Sequence, residues 1–243
     1  MTFTFKELGK KGQLGNQLFQ ISGVIGAALY YGDDWILPSW KYADHFSIPS
    51  DKFSEKIQRS QIYLEPHFHY RAIPNSNGKL LNLSGYFQSY KYWQDHSNII
   101  KKLLSPKIKS NFNKYTALHV RRTDYLIHEG CYNILSKNNY YEKAMEVCDS
   151  KNYLIFSDDI SWCKKNFIGN QFSFSEERRP VIDLANMISC SNFIIANSSF
   201  SWWGAFLSKS KGKKVVAPSC WFGPKLRYTH NTKDLIPPNW LKV

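Results

Sequence analysis

His119, Val120, Arg121, Arg122, Thr123 and Asp124 follow the apolar run at 115–118. Two adjacent arginines at the end of such a run make a fixed, doubly positive spot. Arginine keeps its charge in proteins, and its planar fork holds two phosphate oxygens at once. If the run is a strand of an open α/β sheet, the arginines stand just outside its carboxyl end, where such sheets bind ligands. A surface ion pair between an arginine and Asp124 accounts for the same residues. The segment leaves both readings open.

Three further segments could take an anion or a proton. Gly12-Gln13-Leu14-Gly15-Asn16-Gln17 lies between a short alternating stretch and a clear helical pattern. Glycines there let backbone approach a ligand, and a helix N-terminus offers unpaired N–H groups; taken alone, a plain helix-start turn is the commoner explanation. The spacing is not G-x-G-x-x-G, so no dinucleotide is announced. Ser198 and Ser199 follow the apolar run 193–196 and precede a helical pattern containing Trp202 and Trp203. They can cap that helix, cradle phosphate, or both, with the tryptophans as core. Asp158 and Asp159 close the run 153–156, where helix capping is the default and a ligand contact the alternative. Adjacent carboxylates splay apart, so a metal site would need further ligands. His67 and His69 lack an evident third ligand. Glu129, five residues past Asp124, is a candidate general base or a solvated loop residue.

The elements that must position these groups follow from periodicity. Residues 2–6 read as a short strand. Leu18, Ile21, Ile25 and Leu29 repeat at helical spacing from Asn16 to a stop near Gly32. Prolines break 33–82 into short strands and loops. A second helix is predicted over 90–104, with Trp93, Ile99, Ile100 and Leu103 inward. The polar stretch 107–114 is the domain boundary, dividing 1–110 from 111–243. Beyond it, strands at 115–120, 153–156, 171–174, 193–196 and 215–217 alternate with helices near 139–149, 161–167, 181–189 and 200–208. Alternation of that kind implies βαβ units and a parallel, Rossmann-like sheet.

Bulk properties narrow the partners. With 43% hydrophobic and 21% charged residues the chain is globular. Its net charge of +13 asks for an anionic partner. Basic residues occur as scattered pairs, so a general basic background is favoured over a nucleic-acid stripe. Five cysteines with no C-x-x-C read as free thiols in a reducing compartment. No run is long enough to span a membrane and no signal-peptide core is present, so a cytoplasmic protein of bacterial or viral type is expected, complete or trimmed of an anchor, with peripheral membrane association left open.

Four blocks in order resemble the family 11 glycosyltransferases, the α-1,2-fucosyltransferases. They are 12–20 (GQLGNQLFQ), 83–93 (LSGYFQSYKYW), 119–125 (HVRRTDY) and 194–205 (IIANSSFSWWGA). The tail segments 217–221 and 235–240 are also similar. The resemblance implies an α/β protein of GT-B type with two Rossmann-like domains. It also implies inverting, metal-independent transfer of L-fucose from GDP-fucose to the 2-hydroxyl of a terminal galactose. The first domain would take most of the acceptor and the second the nucleotide sugar.

By position, the resemblance makes His119 and Arg121 donor contacts, with Arg121 on the diphosphate and Arg122 supporting it or the fold. Asn16, with Gly15, stands near the diphosphate and fucose. Ser198 and Ser199 contact phosphate, and Asp183 and Asp158 are acidic donor-site positions. Asp124 and Glu129 are the candidate bases, the donor phosphate being a third proton acceptor. No cofactor is expected. Lys10 and Lys11 replace part of the family's glycine-rich approach to the first block, and Thr123 replaces its usual glycine. The arginine block with threonine is also similar to α-1,6-fucosyltransferases. Transfer in α-1,6 linkage or to protein is therefore the alternative, and a basic nucleic-acid-binding protein a more distant one.

Overall fold

A computed structural model describes residues 2–128 and 130–243. Two units form within it, one running through Lys107 with Asn231–Ile236, the other Ile108–His230 with Pro237–Val243.

The first unit contains β1 (Thr2–Thr4), α1 (Leu14–Tyr31), β2 (Asp34–Trp35), β3 (Gln61–Leu64), β4 (Leu80–Ser84) and α2 (Ser97–Leu104). Its strands are all parallel, in the order β2-β1-β4-β3. Of the predicted inner stripe of α1, Leu18, Ile21 and Ile25 are fully buried and Leu29 is partly exposed. The helix ends on Gly32, whose left-handed backbone lets the Asp33 N–H reach back to Ala28 O at 2.8 Å.

Residues 90–104 are not one helix. Two single 3-10 turns, Tyr90–Tyr92 and Gln94–His96, precede α2. Trp93 interrupts them with φ −144° and packs on Phe19 of α1, ring centroids 5.6 Å apart. Starting the helix at Ser97 sets its inner pair at Ile100 and Leu104, one turn apart, and leaves Ile99 42% exposed. The segment crosses α1 so closely that a Cβ on Gly26 would lie 2.1 Å from Tyr92 O, a backbone atom. Alanine at a helix-interior glycine gains about 0.5–1 kcal/mol of propensity, against about 1–3 kcal/mol for overpacking. Gly26→Ala is therefore expected to lower the urea midpoint; an unchanged or higher midpoint would mean the crossing adjusts freely.

The second unit contains β5 (Thr116–Val120), α3 (Thr123–Ile127), α4 (Tyr140–Cys148), β6 (Tyr153–Ser157), α5 (Ile160–Asn166), β7 (Phe172–Phe174), α6 (Pro180–Ile188), β8 (Asn192–Ile194), α7 (Ser199–Leu207), β9 (Val215–Ala217) and β10 (Leu241–Lys242). All the pairings are parallel, in the order β10-β9-β8-β5-β6-β7. The alternation expected past residue 114 is thus present, and β10 is an addition too short to register as a pattern. Every residue of β5 is buried, as a central parallel strand requires. Trp202 and Trp203 are fully buried, and Trp202 meets Trp240 at 5.3 Å between ring centroids. Among the described residues no helix is long and apolar enough to cross a membrane.

Candidate active site

Strand order decides where ligands can sit. In the second unit the chain proceeds from β5 through β6 to β7 on one side, then returns to lay β8 and β9 on the other side of β5. The β5–β8 junction is therefore the topological switch point, and a crevice opens outside its carboxyl ends. The arginine block leaves β5 there, and the serine block leaves β8 there. The first unit repeats the logic between β1 and β4. The glycine loop leaves β1, and the 85–93 block leaves β4.

At the β5–β8 junction His119 is buried, with Nδ1 2.8 Å from Ser201 Oγ. Burial first, and the Arg121 charge second, push its pKa down to about 3, so the imidazole is neutral at physiological pH. Arg121 donates from Nη2 to Asp124 Oδ2 at 2.8 Å, and its Nε lies 3.5 Å from Asp158 Oδ2. Its guanidinium is 5.7 Å from the Tyr125 ring centroid. Two carboxylates and a ring thus hold a guanidinium that stays 26% exposed.

Arg122 has a different environment. Its guanidinium lies 3.9 Å from the Trp162 ring centroid, with Nε donating to Asp159 Oδ2 at 3.2 Å and Nη1 to Ser136 Oγ at 2.8 Å. Those contacts tie it to α5 and the 135–137 turn.

Asp158 accepts the Arg122 N–H at 2.9 Å, the Thr123 N–H at 3.0 Å and the Thr123 hydroxyl. It caps α3 from a neighbouring strand, since Arg122 at the cap position supplies no side-chain bond. Burial alone would raise its carboxyl; the Thr123 hydroxyl and the Arg121 charge outweigh that and hold it below the ordinary range. Thr123 thus serves the Asp158 cap with both its N–H and its hydroxyl. Asp159 caps α5 through the Trp162 N–H at 3.1 Å. Both carboxylates of the pair are engaged as caps.

Ser198 caps α7, accepting the Phe200 N–H at 3.4 Å, and Ser199 is the first residue of that helix. Asp183 lies in the first turn of α6 and accepts the Ser175 hydroxyl at 2.6 Å. Burial pushes its carboxyl up to about 6. Ser175 directly follows β7, so Asp183 stands two strands away from Arg121 along the same sheet edge. Glu129 lies outside the described residues.

In the first unit Gly15 and Asn16 occupy the first turn of α1. That helix has no side-chain cap at Gln13 and no acidic residue in its first turn, so its N–H groups favour an anion. Asn16 Oδ1 accepts from Gln88 Nε2 at 2.7 Å, joining the first and second blocks. Gly12, at φ 72°, would place a Cβ 2.3 Å from Asn16 Nδ2. The loop is held by two glutamines of the first block. Gln17 donates to Gly12 O at 2.9 Å and Gln20 to Lys11 O at 3.2 Å, while Trp40 Nε1 donates to Gln17 Oε1 at 2.8 Å. Lys11, the departure in that loop, pairs with Glu7 at 2.7 Å.

Missed by sequence reasoning were Gln88, which lay inside a quoted block, and Asn197. Asn197 Nδ2 donates to Asn133 O at 2.9 Å and Trp221 O at 2.8 Å, and its own carbonyl accepts the Tyr125 hydroxyl at 2.7 Å. An asparagine just past an apolar run was the available signal. Glu65, whose carboxylate accepts the Tyr86 and Phe87 N–H groups, carried none, because those partners are backbone groups of the turn after β4.

Residues 7–243 match glycosyl transferase family 11. An alpha-1,2-colitosyltransferase of Escherichia coli is 31% identical, over 96% of this chain and 96% of that protein. A galactoside 2-alpha-L-fucosyltransferase of Caenorhabditis elegans is 24% identical, over 95% of this chain and 76% of that protein. Among solved structures, fucosyltransferase NodZ from Bradyrhizobium superposes with a TM-score of 0.56 at 9% identity, covering 84% of this chain and 92% of its own. NodZ, an alpha-1,6-fucosyltransferase, soaked with GDP-fucose gives 0.50 over 85% and 92%. At such identity the likeness is one of fold, and it agrees with the expected α/β architecture of GT-B type. The chain is a glycosyltransferase and belongs to glycosyl transferase family 11.

Proposed function

We propose that the protein transfers L-fucose from GDP-fucose to the 2-hydroxyl of a terminal galactose, with inversion and without a metal. The observation that carries this reading is the β5–β8 junction, where Arg121, neutral His119 and the start of α7 meet at one switch point. Breaking the anomeric C–O bond builds negative charge on the departing diphosphate. A guanidinium oriented in advance by Asp124 and Asp158 stabilises that charge without reorganising. Ser198, Ser199 and the first N–H groups of α7 favour the same phosphates. Asp183, at the outer part of the edge, is the proposed guanosine-side carboxyl. Asn16 and Gly15 supply the corresponding anion-friendly helix start in the first unit.

Inversion requires the acceptor hydroxyl to attack the anomeric carbon on the face opposite the leaving group and to give up its proton to a base. Asp124 Oδ2 is engaged with Arg121, so the first role of Asp124 is to orient the guanidinium. Glu129 and the departing phosphate are the other proposed proton acceptors. The similarity to a colitosyltransferase favours a second donor reading, because colitose is L-fucose without its 3-hydroxyl.

At about 100 times its Kd, GDP should add about 2.7 kcal/mol of stability. The expected result is a rise in Tm with GDP that survives EDTA, a smaller one with GMP, and a Fucα1-2Gal product by NMR linkage analysis. No GDP stabilisation would sink the donor assignment, and loss of the rise in EDTA would sink metal independence. A 1,6 linkage or a peptide product would sink the acceptor assignment. Steeply salt-dependent DNA binding without GDP stabilisation would favour the nucleic-acid alternative.

A further inference from the structure

Glu65 directly follows β3, one strand outside the β1–β4 junction. Its Oε2 accepts backbone N–H groups from Tyr86 at 2.7 Å and Phe87 at 2.9 Å, and the Tyr92 hydroxyl is 3.5 Å from Oε1. Its own N–H donates to Ser84 O at 2.8 Å. The turn it grips is an unusual one. Gly85 has φ 154°, and a Cβ there would lie 2.4 Å from Glu65 Cβ and 2.6 Å from Oε2. Phe87 is left-handed at φ 52° although its side chain is bulky and fully buried. Such strain persists only where the surroundings over-determine it, and it clusters at working sites. The next residue is Gln88, whose amide donates to Asn16 Oδ1.

We propose that Glu65 is a positioning residue for sugar transfer, its carboxylate holding residues 85–88 in the strained form that directs Gln88 to Asn16. This inference rests on the reading of Asn16 as part of the donor site. An ionised acceptor makes hydrogen bonds about twice as strong as a neutral one, so the grip depends on the charge state of Glu65. Burial pushes this carboxyl up to about 7, against the opposing effect of the two amides and the Tyr92 hydroxyl. The titratable groups around it are Tyr92 from the turn after β4 and Tyr63 on its own strand, whose hydroxyl is raised by burial and by the Glu65 charge. Arg71, on the segment that follows, reaches the Tyr92 hydroxyl through its backbone N–H at 3.5 Å. Among the described residues, the groups bonded to the carboxylate are two amides and a phenol, so charge on Glu65 is the variable that sets the grip.

The full chain, Glu65→Gln and Tyr92→Phe are compared at pH 6 and pH 8 by steady-state kinetics and by amide hydrogen exchange of residues 86 and 87, corrected for intrinsic rates. Wild-type kcat should rise between the two pH values. Glu65→Gln, isosteric but never charged, should match wild type at pH 6 and be about tenfold slower at pH 8, the factor from halving a charge-assisted bond. Its 86 and 87 amides should exchange faster than wild type at pH 8 only. Tyr92→Phe removes a hydroxyl that favours the ionised form, so the wild-type rise should move to higher pH. A wild-type profile in Glu65→Gln overturns the proposal. So does an equal loss at both pH values with a lowered Tm, the mark of a merely structural role. The exchange measurement needs no substrate: absent sugar transfer with the exchange pattern intact sinks the functional reading, whereas transfer without that pattern sinks this inference.

Discussion

Replacing Arg121 by lysine should lower kcat about 10²-fold, the loss typical of removing one preorganised donor to a developing oxyanion. Lysine keeps the charge, so electrostatic attraction of the donor should persist and the GDP-induced rise in Tm should shrink only partly. What disappears is the fork. A single ammonium cannot lie against Asp124 Oδ2 and Asp158 Oδ2 and still present planar N–H groups to a diphosphate. The same change at Arg122 should have the reverse profile. Arg122 stacks on Trp162 and bonds Asp159 and Ser136, so Arg122→Lys should lower Tm more than kcat. Turnover near the wild-type value in Arg121→Lys would remove that residue from the mechanism.

Asp158→Asn should be the most destabilising single-atom-scale change near the site, by about 2–3 kcal/mol. Breaking one side of a fully buried charge pair costs about 3–5 kcal/mol. The Asp158 side chain is 17% exposed, which reduces the figure. The mechanism is a mismatch of donors. Asparagine can still accept the Arg122 N–H, but its NH₂ then faces the Thr123 N–H, the Thr123 hydroxyl and Arg121. At about 2–4 °C per kcal/mol for a chain of this size, the fall in Tm should be readily measured at pH 7. The pH dependence has a definite sign. A carboxyl held below its ordinary value of 3.8 contributes stability that is fully present above that value and is lost as pH falls through the folded-state pKa. Wild type and Asp158→Asn should therefore converge below about pH 4. A gap unchanged from pH 7 down to pH 3 would mean that packing, and not the charge, carries the effect.

Legibility differed between residues for physical reasons. The alternating strands and helices past residue 114 were readable because strands buried on both faces leave continuous apolar runs, while helices buried on one face keep a helical period between them. Over 90–104 apolar residues stand at helical spacing, yet the segment is not one helix. The close crossing over Gly26 and the Trp93 packing against α1 break the backbone before Ser97, and neither contact is visible along the chain. Ile99 was the casualty, exposed once the helix phase was set by Ile100 and Leu104. The two arginines looked alike as neighbours on one strand end. Only their surroundings distinguish them: Arg122 lies close over Trp162 and bonds Asp159 and Ser136, whereas Arg121 is held at an open edge by Asp124 and Asp158.

Local chemistry was present in the residue types: permanent charge at 121 and 122, an uncapped glycine-rich helix start near Asn16, and a serine pair at a second helix start. Their order along the chain was enough for the family likeness. Strand order was not contained there, because parallel strands pair through backbone groups that every residue has. It is strand order that brings the first block to the second at β1–β4 and the third to the fourth at β5–β8. Glu65 marks the boundary most clearly. Its role depends on amides contributed by Tyr86 and Phe87, and a partner that is backbone leaves no trace in the spelling of the chain.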